Sequence, residues 1–310
     1  MPQRLLLGPQ RPVTNLGQVV SDAGIPEGPI AVISAGWQEA EGDIDDVREL
    51  VPGSLVDLKL YHRADEVFSV DAHLHNAHRE RQDQLKELQR LYRLRLRQLM
   101  IAARQLRRSH ASAEMIVAEE RHAISQLRAL DRHHLGRIES IHRAFDDRIG
   151  VTCSASLAEQ ADAIRKILDD CPTVLITGGN VIVLLNRLRL FGVDRLLNDK
   201  NLIAWSAGAM VLSDLIVLYH DKTPQGRRDA EVFNTGAGVL PGYVFLPDAR
   251  RRLKENDAVR IGLFCRRFSP ATSVTLDSGS LLHFEGTEFR KVVDVRRLTN
   301  KGRLARMKTS

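Results

Sequence analysis

The chain has 310 residues, of which 43% are apolar, and a formal net charge of +6. This length predicts one large α/β domain with an insertion, or two domains. No run of 18 apolar residues occurs, so no membrane span or membrane partner is expected, and the apolar stretch near the N-terminus is too short for a secretion signal. A cytoplasmic protein is the resulting expectation.

The first segments of the chain alternate between strand-like and helix-like sequence. Residues 28–36 (GPIAVISAG) and 54–62 (SLVDLKLYH) are short apolar runs of the kind that form buried strands. Between them, Ile44, Val47 and Leu50 recur at helical spacing. This β-α-β order predicts a parallel sheet.

The composition then changes over residues 73–149, which contain no proline and a single glycine. Apolar residues recur there at steps of three and four, which predicts two long amphipathic helices. The members are Leu85, Leu88, Tyr92, Leu96, Leu99, Ala103 and Leu106, then Leu127, Leu130, His134, Ile138, Ile141, Phe145 and Ile149. The break between them, at Ser109–Ser112, predicts a turn.

The resulting domain prediction is a helical hairpin at 73–150, inserted between the first part of an α/β domain at 1–72 and its second part at 151–298. A basic tail at 299–310 is expected to be frayed. Most of the basic excess belongs to the hairpin, since residues 78–149 hold 16 basic and 10 acidic side chains.

Three roles for the hairpin remain open on sequence grounds. It could pair with a second copy in a four-helix bundle and make a homo-oligomer, or pack on its own chain. It could also bind nucleic acid through the arginines of its first arm, namely Arg90, Arg93, Arg95, Arg97, Arg104, Arg107 and Arg108. These arginines are spread around the helix and aromatic residues are scarce, which disfavours nucleic acid.

Neither a metal site nor a disulfide is expected. The histidines near the hairpin lack the spacing of metal ligands, and Cys153, Cys171 and Cys265 are too far apart in sequence for a zinc motif. We expect the three cysteines to be free thiols.

Two strand-turn-helix corners follow in the second part of the chain. Residues 173–180 (TVLITGGN) and 201–209 (NLIAWSAGA) are strand-like runs that end in small residues. Helix-forming sequence follows each turn, and after the second turn it continues towards His220. Neighbouring parallel strands would bring both corners to the carboxyl edge of one sheet, where open α/β sheets bind ligands.

Ser206 stands at the second corner and is our candidate nucleophile. A sharp strand-to-helix turn fixes the attack angle of a serine hydroxyl, and the small residues Ala207 and Gly208 fit its crowded backbone. The amides of Gly179 and Ala207 would form an oxyanion hole, with Gly178 and Asn180 beside them. The alternative is a Ser-Ala-Gly turn that only packs a helix on a sheet.

Four stretches in this order resemble the peptidase E and cyanophycinase family of serine peptidases: ITGGN, AWSAGAMVLS, GAGVLP and TLDSGSLLHFEG. The resemblance covers roughly residues 28–62 and 170–298 and leaves out the hairpin. It implies a flavodoxin-like parallel sheet with the fold of class I glutamine amidotransferases. It also implies a Ser–His–acid triad, no metal or other cofactor, and small acidic peptides or an aspartate–arginine polymer as substrates.

The chain departs from this family pattern at the base. The resemblance implies a histidine after the proline that follows GAGVLP, but Asp248 stands there, and the acid is expected near Asp277. A carboxylate is a much weaker base than an imidazole at pH 7. We therefore predict a degenerate member that binds or assembles; the alternative is an active hydrolase with His220 or His283 as the base.

Overall fold

The computed structural model describes residues 1–149, 154–220 and 229–309. The first part of the chain forms β1 (Gln3–Leu7), α1 (Leu16–Ala23), β2 (Ile30–Ile33), α2 (Asp45–Leu50), β3 (Leu55–Asp57) and α3 (Leu60–Val70). Two long helices follow, α4 (Ala72–Leu106) and α5 (Ala113–Ile149). The next elements are α6 (Ala155–Asp170), β4 (Thr173–Ile176), α7 (Val181–Leu190), β5 (Asn201–Trp205), α8 (Ala207–Val211), β6 (Leu215–Leu218) and β7 (Glu231–Thr235). The last are β8 (Tyr243–Pro247), α9 (Ala249–Arg252), α10 (Ala258–Phe268), β9 (Thr272–Leu276), β10 (Leu281–Glu285), β11 (Glu288–Val293), β12 (Arg296–Leu298) and β13 (Leu304–Arg306).

A seven-stranded sheet in the order β11-β10-β1-β5-β4-β2-β3 forms the centre of the molecule. Strands β1, β5, β4, β2 and β3 are parallel, whereas β10 runs in the opposite direction and pairs antiparallel with both β1 and β11. The parallel strands are nearly continuous apolar runs because helices cover both faces of such a sheet. The prediction of a mixed α/β fold with a largely parallel sheet is confirmed.

The sequence interpretation missed one central strand. β1 lies between β5 and β10, although its five residues showed only an apolar stretch beside Pro and Gly. Arg4 fixes β1 to the surrounding loops. Its buried guanidinium donates hydrogen bonds to the carbonyls of Val239, Gly286 and Asn198 at 3.0, 2.7 and 3.0 Å. At the other edge of the sheet, Lys59 adopts a left-handed conformation and the chain turns into α3 at Leu60, so the strand predicted over 54–62 is shorter than expected.

A second sheet, in the order β13-β12-β9-β8, and the two-stranded ribbon β6-β7 complete the fold. They correct two expectations. The helix at Ser206 ends at Val211, and Leu215–Leu218 is a strand. The tail is not frayed at Leu304–Arg306, which pairs with β12.

The helices α4 and α5 pack against each other and against β7 and α10. All fourteen residues of the predicted repeats are buried or half-buried, so the sequence periodicity identified the inward faces correctly. Among the helices of the described ranges, none has an apolar stretch long enough to cross a bilayer. Cys171 and Cys265 are free thiols, as predicted, whereas Cys153 lies outside the described residues.

A buried polar network ties these two helices to the rest of the molecule. Arg267 of α10 donates from Nε and Nη2 to the two carboxylate oxygens of Asp131 at 2.7 and 2.6 Å, and from Nη1 to the carbonyl of Ala230 at 2.7 Å. The hydroxyl of Tyr92 donates to Asp131 at 2.8 Å, which joins α4 to α5. Each polar group is satisfied, which makes such a network a specific anchor.

His134 of α5 belongs to the same layer and titrates abnormally. Its Nε2 lies 2.8 Å from Oε1 of Gln89, and its ring stacks on Tyr92 with the centroids 4.0 Å apart. Burial lowers the pKa of His134 to about 4. In the unfolded chain a histidine ordinarily titrates near 6.5.

Acid therefore destabilises the fold through His134. In the unfolded chain His134 becomes protonated as the pH falls through about 6.5, whereas in the folded protein it stays neutral down to about pH 4. The free energy of unfolding therefore decreases as the pH falls across this window. We expect His134→Gln to reduce the dependence of the unfolding free energy on pH between 7 and 5 by up to about 1.4 kcal/mol per pH unit. Urea denaturation at a series of pH values measures this dependence. The exposed neighbour His133 provides the control, and an equal slope in His133→Gln and His134→Gln would contradict the assignment.

Candidate functional site

Ser206 lies at a strained corner between β5 and α8. Its backbone has φ 51° and ψ −116°, a region that non-glycine residues rarely adopt. Such strain persists only where the surrounding structure enforces it, and it is common at catalytic serines on strand-to-helix turns. The hydroxyl makes no hydrogen bond with any residue in the described ranges, so it is available to a ligand.

Glycines surround this corner because the backbones approach each other too closely for a side chain. A Cβ at Gly208 would lie 2.3 Å from the carbonyl oxygen of Ile176, and one at Gly178 would lie 3.0 Å from Cβ of Ser206. Gly179 has φ +102°, and its Cβ would lie 2.2 Å from the carbonyl oxygen of Gly36. The two corners predicted to be neighbours are therefore in contact.

Several backbone amides at the corner lack a partner. Within the described part of the chain, the amides of Gly178 and Gly179 donate to no acceptor. Those of Ala207 and Gly208 open α8 and have no acceptor within that helix. The predicted oxyanion donors, at Gly179 and Ala207, are thus unpaired on the two corners that meet at Ser206.

Asn180 has a structural role at this edge. Its Oδ1 accepts from the amides of Ile182 and Val183 at 3.0 and 3.4 Å, which caps α7, and its Nδ2 donates to Oε1 of Gln38 at 3.1 Å. The sequence placed Asn180 among the ligand-binding residues; the structure assigns its side chain to a cap and to the loop after β2.

That loop is a wall of the site that the sequence interpretation missed. The amide of Asn180 donates to the carbonyl of Gly36 at 2.7 Å, and the Cβ of a side chain at Gly179 would lie 3.0 Å from Cδ1 of Trp37. Gln38 is itself strained, with φ 60° and ψ −122°. The signal in the sequence was the glycine that ends the run AVISAG, which we had read only as the end of a strand.

Asp248 lies at the end of β8, at the position where the resemblance implies a histidine. Its amide donates to the carbonyl of Leu276 at 2.9 Å, and its φ of 60° is left-handed. Its carboxylate is 3.6 Å from Nη1 of Arg251 and from Nε of Arg252. The carboxylate therefore has cationic neighbours on its own helix, α9.

Asp277, the candidate acid, is held in a structural network. Its side chain is buried and accepts hydrogen bonds from the amide of Arg250 at 2.9 Å and from Nη2 of Arg296 at 2.8 Å. Arg296 also forms a two-pronged pair with Glu255, which together with Asp277 raises the pKa of Arg296. Both oxygens of Asp277 thus fix α9 and β12, and neither contacts a histidine.

The two candidate bases differ in position. His283 pairs with Leu5, which pairs with Ile203, and Ser206 lies three residues beyond Ile203. Two strand spacings and three residue steps separate His283 from Ser206 by about 14 Å, which is beyond the reach of a hydrogen bond. His283 is in mid-strand, where burial lowers its pKa.

His220 lies at the carboxyl end of β6 and is exposed. Its ring stacks on that of Tyr219, whose hydroxyl donates to the carbonyl of Pro247, the residue before Asp248. The structure therefore brings the end of β6 beside the end of β8. Asp221, which follows His220 in the sequence, lies outside the described residues.

The crowding at Gly208 makes a stability prediction. We expect Gly208→Ala to destabilise the protein by about 1–3 kcal/mol, because the added methyl group meets a rigid strand carbonyl. Gly136→Ala is the control: nothing lies within 4 Å of a Cβ there, and the change should stabilise α5 by about 0.5–1 kcal/mol. Urea denaturation of both variants measures the difference, and effects of the same sign would show that the corner is not tightly packed.

Comparisons with known proteins bear on this geometry. The family model for peptidase family S51 matches residues 132–292, just over half of the chain and the part that carries Ser206. A search of curated proteins gives no match. A crystal structure of a peptidase from an acI-B1 Actinobacterium aligns with a TM-score of 0.47 and 12% identity, over 97% of this chain and 91% of that one. This likeness supports no conclusion about function.

Proposed function

We propose that this chain, which belongs to peptidase family S51, binds small acidic peptides at Ser206 and hydrolyses them very slowly or not at all. The observation that carries the proposal is the contrast between a fully built corner and the residue at the base position. Ser206 has the strained backbone and unpaired neighbouring amides of a nucleophile site, whereas Asp248 stands where the histidine is expected.

The binding half of the proposal rests on the amides. Those of Gly178 and Gly179 from one corner and of Ala207 from the other offer donors to a carbonyl or carboxylate oxygen. Fixed donors of this kind bind an oxygen without having to reorganise. Acidic peptides are the substrates that the family resemblance implies, and the free hydroxyl of Ser206 would lie beside the bound group.

The loss of turnover rests on the base. A serine hydroxyl attacks slowly unless a base removes its proton, and losing one member of a triad costs several powers of ten in rate. Asp248 is a weak base with arginine neighbours, and His283 is out of reach. The left-handed backbone at Asp248 is one that histidine also adopts, so a histidine can be restored there.

A second candidate is an active hydrolase in which His220 is the base and Asp248 orients it. The hydrogen bond from Tyr219 to Pro247 favours this arrangement, because it ties the strand that ends before His220 to the strand that ends before Asp248. The roles of histidine and acid would then be exchanged between two positions at the same edge of the molecule.

One set of assays distinguishes the two candidates. Aspartyl-leucine is offered to the native protein, Ser206→Ala, Asp248→His and His220→Gln, with product measured by mass spectrometry and binding by calorimetry. We expect the native protein to bind the dipeptide, and kcat/KM to rise at least about a thousandfold in Asp248→His. The gained activity should disappear in the double variant with Ser206→Ala.

Other outcomes are equally informative. Efficient turnover by the native protein that is lost in both His220→Gln and Ser206→Ala would replace the first proposal with the second. Neither heat of binding nor turnover at millimolar dipeptide, in the native protein and in Asp248→His, would contradict both.

A further inference from the structure

A cavity of about 870 Å³ lies between α5, α7 and the end of β7. Arg81, His142, Arg189 and Asn234 are among its lining residues. Arg189 is nine residues along α7 from Asn180, which places it about 13 Å from the Ser206 corner along the helix axis. The cavity is therefore separate from the candidate active site.

Arg81 of α4 is an unusual residue in this cavity. It is only 5% exposed, yet its guanidinium donates no hydrogen bond to any residue within the described ranges, and its Nε and Nη2 atoms are buried. Its guanidinium carbon lies 3.9 Å from the centroid of the Phe145 ring. Burial lowers the pKa of Arg81 to about 10, so it remains charged at pH 7.

Another buried arginine of the same molecule shows what a purely structural role looks like. Arg267 directs Nε and both Nη atoms at protein acceptors, and its charge is matched by Asp131. A buried charged donor with no acceptor costs several kcal/mol. The charge of Asp146 partly offsets the burial of Arg81, but no acceptor in the described residues takes its hydrogen bonds, and an acceptor from outside the chain would supply them.

On the opposite wall, Arg189 is held in place by acceptors of the protein. Arg189 donates to Oδ1 of Asn234 and to the carbonyl of Thr235, each at 2.9 Å, and its Nη1 lies 2.9 Å from Nε2 of His142. Because arginine only donates, Nε2 of His142 accepts and the ring proton is on Nδ1. Burial beside Arg189 and Arg81 lowers the pKa of His142 to about 3, so the ring is a neutral donor at pH 7.

The acidic residues of the cavity do not neutralise Arg81 by contact. The lining includes Arg132 and Arg195 at its exposed margin, and the acids Glu139, Asp146 and Asp194. In the described residues no carboxylate lies within ion-pair distance of Arg81. Phe145 is already covered by Arg81, so the site offers donors for an oxyanion and no free aromatic face for a base.

We propose that this cavity binds a small organic anion, with its carboxylate or phosphate group held by Arg81. The guanidinium donors of Arg81 that no protein acceptor uses suit the oxygens of either group, and the cavity volume accommodates a molecule larger than a bare ion. The chemistry proposed at Ser206 does not require this site, so the anion-binding proposal is independent of the proposed function.

The test is calorimetric titration of the full-length protein, at low ionic strength, with succinate in one arm and inorganic phosphate in the other. We expect at least one anion to bind with a Kd below about 1 mM and Arg81→Met to weaken that binding at least tenfold, which is the loss of a charged hydrogen-bond donor. The arm that gives heat identifies the group. Arg79→Met, an exposed arginine on the same helix, should bind as the native protein does.

The stability of the variant gives an independent readout. Removing an uncompensated buried charge should leave the unfolding midpoint of Arg81→Met, measured without anion, equal to or above that of the native protein. If this variant does not fold, Arg81→Lys is used in its place. Lysine keeps the positive charge but lacks the planar guanidinium donors, so this variant should bind the anion at least threefold more weakly than the native protein. The proposal is overturned if neither anion binds at 10 mM, or if binding persists unchanged without Arg81.

Discussion

The close approach of three backbone segments at the carboxyl edge of the central sheet determines the rest of the candidate site. A Cβ atom at Gly36 after β2, at Gly179 after β4 or at Gly208 at the start of α8 would lie within 2.4 Å of a backbone oxygen, and one at Gly178 would lie 3.0 Å from Cβ of Ser206. Because these segments touch, the chain at Ser206 is forced into a backbone conformation that serine rarely adopts. The hydroxyl without a hydrogen bond and the unpaired amides are consequences of that packing.

The two long helices are part of the same folded body. Their inward faces pack on the ribbon β6-β7 and on α10, and Arg267 and Asp131 join them through buried, fully paired charges. Such a network specifies one arrangement of the helices, since any other would leave a charge buried without its partner. The same helices carry Arg81, whose guanidinium has no such partner, and this contrast is the basis for proposing that Arg81 binds an anion.

The sequence was sufficient for features that repeat or that are local. Periodicity identified the buried faces of α4 and α5, because a three-to-four spacing is unambiguous when it is sustained over about six turns of helix. The order of strands and glycines predicted that Gly178 would meet Ser206. Short elements were harder to predict. The five residues of β1 and the four of β6 are too few to show a hydrophobic periodicity that distinguishes a strand from a helix or a loop.

Register and long-range partners were beyond the reach of the sequence. His283 and Ser206 both belong to the central sheet. Only the pairing of His283 with Leu5 shows that the histidine lies in the middle of its strand, too far from the corner to contact Ser206. Asp277 looked like a catalytic acid until its contacts with Arg250 and Arg296 were known. For both residues, the neighbours that bear on a catalytic role come from distant parts of the chain.

The central claim is that the corner at Ser206 is complete except for its base. The most direct test is labelling with a fluorophosphonate, which reacts with a serine hydroxyl only when oxyanion donors and a base act together. The account predicts no labelling of the native protein, stoichiometric labelling of Asp248→His, and none when Ser206→Ala is added. Rapid labelling of the native protein at Ser206 would contradict it, because a working base would then already be present.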